Sequence, residues 1–456
     1  MKKIVSLLII ILMVIFSFAA PPKNKQKKKN KKKNPIELEE IVVQSKNPLT
    51  NYKPSKTSLF DLIHTKLAVE PIIKNQTVEG KATITLKPHF YNQNELILDA
   101  KFMEIHDIGI KKNGLLIPLS YSYDTMQIKI ILDKTYSKND TIKIVIDYTA
   151  QPYKIDDKTL SEYGRGMYFI NPLNKNPYKP FHMWSQGEEE ASSIWFPTIE
   201  ATNQKTTQEI LVKLDTAYLS LSNGILVSST NNGDGTKIDY WKQDLPHAPY
   251  LFFLGIGDYV KVNDEPWHNK PINYYTFKAF ENTAKPVFGN TKAMIEFFSN
   301  KLGVPFPWDK YSQILAYDYT AGAMENSSAV IFYDKLLITP DQIEDRSFDW
   351  IIAHELFHQW FGDLVTAESW ANLTLNESFA DYSEYLWAEH FYGKEYADGY
   401  NMESFEKYLM SSTRKNEALF NPYYDSPHDV FDAIRYEKGG RILHMLRNYI
   451  GDEAFF

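Results

Sequence analysis

The chain has 456 residues, enough for two or three domains, and its 43% hydrophobic and 23% charged content marks a globular protein rather than a disordered or fibrous one. It has no cysteine, which excludes disulfides, thiolate catalysis and cysteine-based zinc fingers, so any metal must be held by histidine and carboxylate. The net charge is −7, and removing residues 1–34, which carry ten lysines and no acid, leaves −17 on the rest, an acidic body unsuited to nucleic acid.

Residues 1–20 read as a signal peptide: Lys2 and Lys3, an apolar core, then the small residues Ser17, Ala19 and Ala20 around a cleavage site. Export to the periplasm or the extracellular space is the expectation. The alternative is a membrane anchor through residues 4–20, because positive charge directly after an apolar segment favours keeping that side in the cytosol. Residues 21–54 carry eight lysines between Lys23 and Lys33 and read as a basic, disordered tether.

From 55 to 267 the chain reads as strands. Ala82, Ile84 and Leu86 alternate with polar neighbours, as do Ile128, Ile130 and Leu132, and Ile142, Ile144 and Ile146; residues 209–215 continue the pattern. Period-two alternation predicts a mainly antiparallel β-rich domain with one solvated face, a sandwich or saddle. "NNGDGTK", 231–237, predicts a hairpin. After "DEPWHNKP", 264–271, the character changes, and a second, α+β domain is placed at 268–456. Thr291, Met294, Ile295, Phe298 and Leu302 fall at helical intervals, "VPFPW" (304–308) stops that helix, a strand pair is expected within 313–337, and helical patterns run from about 347 onward.

Residues 347–361 read as a helix apolar nearly all round, hence buried. At about 100° per residue, His354 and His358 point within about 40° of each other, so both imidazoles can reach one ion. Glu355 beside them can address a metal-bound water, giving the HExxH arrangement of a zinc peptidase. Two satisfied core histidines are the plainer alternative. An open zinc site needs a third protein ligand. Glu377, 19 positions after His358, supplies one if a second helix packs across the first.

"HELFHQWFGDLVTAESWANLTLNESFADY" resembles the HExxH-x18-E signature of gluzincin aminopeptidases, the family of aminopeptidase N and leukotriene hydrolase. "GAMEN", 322–326, matches that family's exopeptidase motif, and "YEKGG", 436–440, matches the segment with its catalytic tyrosine. The resemblance runs from about residue 57 to the end. It implies a thermolysin-like catalytic domain, one Zn²⁺ per chain on His354, His358 and Glu377, Glu355 as general base, and Tyr436 stabilising the oxyanion. It implies peptide substrates with a free N-terminus, whose ammonium is bound by Glu325, with Glu188 and Gln186 of "SQGEEEASSIWFP" (185–197) beside it. Gly322 and Ala323, with little side chain, let an extended peptide pair with the backbone. Asp363, where the family often has Asn, is expected either to orient a histidine or to play a structural role at the helix end. Ser378 stands where the family has glycine; it adds a hydroxyl and removes no ligand. The family's catalytic domain runs longer, commonly followed by a helical domain, so the chain reads as truncated. Competing readings are a zinc endopeptidase, an epoxide hydrolase of the same fold, and an inactive fragment acting as a binding module. No sequence feature sets an oligomeric state, and membrane contact is expected only through the anchor.

Overall fold

A computed structural model describes residues 52–53, 55–411 and 417–456, which belong to one compact unit. The signal peptide and all but the end of the basic tether lie outside the described residues. The tether's end is ordered, contrary to expectation: Tyr52 bridges Tyr423, and the Lys53 amide donates to the Pro422 carbonyl at 2.7 Å.

The alternating segments form an eight-stranded sheet. Its order is Ile225–Asn231, Thr236–His247, Thr206–Asp215, Phe60–Ile72, Thr77–Pro88, Ile142–Ala150, Met103–Lys112, Leu115–Pro118. Every neighbouring pair is antiparallel except Phe60–Ile72 with Thr206–Asp215. Ala82, Ile84, Leu86, Ile144 and Ile146 are fully buried, as their period requires. The predicted hairpin joins Ile225–Asn231 to Thr236–His247, with Gly233 and Gly235 supplying the positive φ its turn needs. A three-stranded and a four-stranded sheet complete this region.

The next sheet has five strands in the order Val260–Asn263, Ile272–Thr276, Tyr311–Ala316, Ala329–Tyr333, Ala323–Met324. It begins at Val260, so the change of sheet precedes the expected boundary at 267/268. Its two central pairings are parallel, where the sequence suggested a simple strand pair over 313–337. Ala323–Met324 is an edge strand. The predicted helix is Thr291–Leu302, ended by Gly303 in the left-handed region (φ 64°). The apolar core does not divide along the two regions: Ile314, Met324, Ile331 and Trp370 share one apolar cluster with the large sheet.

Two buried histidines tie stability to pH. His247 bonds Gln208 Oε1 (2.9 Å) and Ser327 Oγ (3.1 Å), and His182 Nε2 accepts from the Tyr317 amide (3.0 Å). Burial lowers His182 to about 4 and His247 to about 3. Between those values and about 6.5 the unfolded chain binds protons that the folded one refuses. Their contribution is therefore present above about 6.5 and lost as pH falls, by up to about 1.4 kcal/mol per pH unit for each group. Thermal melts from pH 4 to 7 should show Tm falling with acid, with a shallower fall in His247→Gln; equal slopes would refute this role for His247.

Candidate active site

The helix Asp349–Phe357 is buried except at Trp350 and carries His354 and Glu355; His358 caps its C-terminus. It ends four residues before the expected 361 because Gly362 turns the chain with φ 133°, and the amides of Asp363 and Val365 take the carbonyls of His358 and Trp360. The early stop has a use. It swings the Phe361 carbonyl round to His358 Nδ1 (3.0 Å), which leaves Nε2 facing inward. Only glycine fits at 362: besides the backbone strain, a Cβ would lie 3.0 Å from His358 Nδ1.

The helix Thr374–Phe391 packs across the first and delivers Glu377. Glu377 Oε2 lies 3.4 Å from Nε2 of both His354 and His358. Two ligand atoms each about 2.0–2.1 Å from a tetrahedral ion stand about 3.4 Å apart, so Glu377 Oε2 stands from each imidazole at the spacing of zinc ligands, and all three ligand atoms lie within 4.8 Å of one another. Glu377 Oε2 is buried with no hydrogen-bond partner, and Glu188 Oε1, Glu325 Oε1 and Glu355 Oε2 share that condition. Burial disfavours charge on both histidines, yet the facing carboxylates lift His354 well above its usual value and His358 to about 9. Burial pushes Glu377 up, but the two histidines overcome it and bring the carboxyl to about 2. The cluster thus calls for positive charge at its centre, which a divalent ion supplies directly. The residues fit zinc.

Each ligand histidine is fixed from behind. His354 Nδ1 meets Glu384 Oε1 at 2.7 Å, and the Tyr400 hydroxyl donates to the other oxygen of Glu384. The sequence reading missed Glu384, although it stands seven positions after Glu377, two turns along the same helix face. It assigned the orienting role to Asp363 instead. Of the two roles considered for Asp363, the orienting one is corrected, because Glu384 and the Phe361 carbonyl occupy both Nδ1 positions; Asp363 is fully buried in the turn that ends the helix, its amide donating to the His358 carbonyl. The Asp363 backbone carbonyl accepts from Lys205 Nζ at 2.9 Å, which ties the large sheet to this turn.

Glu325 is 3% exposed. Carboxylate oxygens of Glu188, Glu325 and Glu377 all lie within 4.8 Å of one another, and those of Glu325 and Glu355 within 4.8 Å of a His358 nitrogen. Gln359, also absent from the sequence reading, pins the Glu325 loop to the metal-site helix: its Nε2 donates to the Glu325 carbonyl (2.7 Å) and its Oε1 accepts from the Ser328 amide (2.8 Å). The turn between Leu219–Ser222 of the four-stranded sheet and Ile225–Asn231 of the large sheet holds the same loop through Asn223 Nδ2 to the Ser327 carbonyl (2.9 Å) and the Gly224 amide to Ser328 Oγ (2.8 Å).

Gly322 and Ala323 line the cleft at the exposed edge of the five-stranded sheet, where an extended peptide can pair. A Cβ on Gly322 would meet only Ile351 Cδ1, at 3.4 Å, so crowding in the folded chain does not demand glycine there. Gln186 does not stand free. Its Oε1 accepts from the Tyr319 hydroxyl and its Nε2 faces Met324 Sδ at 3.4 Å. Tyr436 lines the cleft with its ring parallel to that of His354, centroids 6.0 Å apart, and burial pushes its phenol well above the usual range.

Ser378, the departure noted in the sequence, does more than add a hydroxyl. Its Oγ donates to the Arg435 carbonyl at 2.6 Å, directly before Tyr436. Gly439 faces it so closely that a Cβ would sit 1.7 Å from Ser378 Oγ, and one on Gly440 would sit 2.0 Å from Asp381 Oδ2. The two glycines of "YEKGG" let the helix Gly439–Ile450 lie against the helix bearing Glu377.

A buried metal-ligand helix, a crossing helix that adds a carboxylate, and an acid-lined cleft beside an edge strand define a gluzincin-type metallopeptidase architecture. The Peptidase M1 N-terminal domain family matches residues 22–251, and the Peptidase family M1 domain matches residues 287–456. The chain belongs to peptidase family M1, the gluzincin aminopeptidase family. It is 27% identical over 425 residues to Aminopeptidase 2 of Candida albicans, covering 91% of this chain and 44% of that protein. It is 28% identical over 396 residues to Aminopeptidase N of Lactobacillus delbrueckii subsp. lactis, covering 83% and 44%. The chain thus spans less than half the length of these curated relatives. An M1 zinc metallopeptidase from Deinococcus radiodurans shares the fold, with a TM-score of 0.70 at 19% identity, over 88% of this chain and 85% of that one.

Proposed function

We propose that this chain is a zinc-dependent aminopeptidase, exported from the cytosol, that removes the first residue from peptides with a free N-terminus. The observation that carries the reading is the group of buried, unpartnered carboxylates on Glu188 and Glu325, next to a third on Glu377. His354, His358 and Glu377 account for one cation. Glu188 and Glu325 remain to receive a second, and an N-terminal ammonium suits them, as an acceptor-only, desolvated pair. An endopeptidase would need open passage there for the residues upstream of the scissile bond.

When bound, zinc supplies Lewis-acid polarisation of the scissile carbonyl and acidifies a water. Glu355 takes the attacking water's proton and returns it to the leaving amine. Burial raises this carboxyl and the two histidines oppose the rise; a cation bound beside it would lower it further, which favours the ionised form that accepts the proton. Tyr436 stays protonated and donates a hydrogen bond to the carbonyl oxygen as charge develops there. Glu188 and Glu325 place the first residue so that cleavage occurs directly after it.

Aminoacyl-arylamides should be cleaved by the zinc-loaded chain, activity should vanish with chelator and return with zinc, and N-acetylated counterparts should resist. Equal rates on acetylated and free substrates would overturn the exopeptidase reading.

A further inference from the structure

A second cavity, of about 550 Å³, adjoins the cleft and shares Glu188, Ala321 and Phe431 with it. In an aminopeptidase, an ammonium held at Glu188 sits one bond from the Cα that bears the first side chain. That side chain must leave the anchor through whatever space opens beside Glu188. The structure provides this cavity, whose volume is that of a small-ligand pocket.

Its walls have a definite chemistry. Tyr163, Tyr168 and Phe431 present aromatic surface, and Glu162 and Glu189 bring carboxylates. Among the described residues, no lysine or arginine lines it. The nearby cations are turned to other partners: Lys101 Nζ lies 4.0 Å from the centroid of the Tyr163 ring and donates to the Glu190 carbonyl, and Arg165 NH1 donates to the Pro152 carbonyl at 3.2 Å. The Glu189 side chain is only 10% exposed and meets His428 Nδ1 at 2.9 Å, whereas the His428 side chain is 80% exposed. A guanidinium or ammonium entering the cavity can take the place of that solvent-facing imidazole and lie against the aromatic rings.

Building on the aminopeptidase reading, we propose that this cavity receives the first side chain of the substrate and selects a cationic one, arginine or lysine, through Glu189 and Glu162. The two acids come from different elements, Glu162 from the helix Asp157–Tyr163 and Glu189 from the loop after His182–Ser185, so they can be tested separately.

The test measures kcat/KM for Arg-, Lys-, Leu-, Ala- and Glu-arylamides with the zinc-loaded chain. Arg and Lys should exceed Leu by about tenfold or more, with Glu slowest. Glu189→Gln and Glu162→Gln should each lower the Arg-to-Leu ratio several-fold, with Leu turnover and a thermal melt reporting that each variant is folded. A wild-type ratio near one, or a ratio unmoved in both variants, overturns the proposal. If Leu and Ala are cleaved without preference for Arg or Lys, only this inference fails. If no free N-terminus is cleaved, the aminopeptidase reading fails; calorimetry with argininamide and leucinamide then decides the cavity's preference, and equal affinities overturn it.

Discussion

Glu355→Gln is expected to keep the metal and lose turnover, with kcat falling by about 10²–10⁴-fold. Glutamine has the same shape as the carboxylate and leaves His354, His358 and Glu377, the residues that would hold the ion, unchanged. What disappears is the acceptor for the water's proton. Oε2 of Glu355 has no hydrogen-bond partner in the folded chain, so the substitution breaks no internal bond at that atom and stability should change little. Metal analysis and a thermal melt separate the two effects from kcat. A variant with full zinc and near-normal turnover would remove Glu355 from the mechanism.

The second large effect is steric. Gly439→Ala drives a Cβ to 1.7 Å from Ser378 Oγ and 2.5 Å from Ser378 Cβ, so rotating the serine cannot relieve it. The helices must part, at a cost of about 1–3 kcal/mol or more, and the segment with Tyr436 moves with them. Ser378→Gly alone gives up the bonds to the Arg435 carbonyl and the Thr374 hydroxyl and puts a glycine inside the helix, about 1–3 kcal/mol together. Combined with Gly439→Ala it removes both offending atoms, and the nearest remaining one, Ser378 Cα, is at an ordinary 3.4 Å. The double variant should therefore be more stable and more active than Gly439→Ala, a coupling read from a double-mutant cycle of melts and kcat/KM. Additive losses would mean that the two helices yield elsewhere.

The features legible in the sequence are the local ones. His354 and His358 share a face because four residues are a little over one turn, and the strands around Ile84 and Ile144 declare themselves by alternation. Glu384 was equally readable from its spacing after Glu377, but nothing short of the packed helices distinguishes it from the other acids there. Gln359 lies next to His358 in the chain, yet its two bonds reach residues 34 and 31 positions away. Asp363 shows the opposite failure: a position borrowed from a resemblance did not carry its partner along. The end of the helix at Phe357 depended on Gly362, whose φ no periodicity records. The apolar cluster shared by the two regions was hidden because apolar strands do not announce which sheet will cover them.

The loop that carries Glu325 has its fastenings on both sides in chain order. Asn223 and Gly224 are each 104 positions from the residues they hold, and His247 is 80 positions from Ser327, whereas Gln359 comes after the loop. The loop is thus a strap between the two regions, fastened by residues that come before it in the chain and by one that comes after it, so loosening either fastening would shift the Glu325 carboxylate relative to His354 and His358.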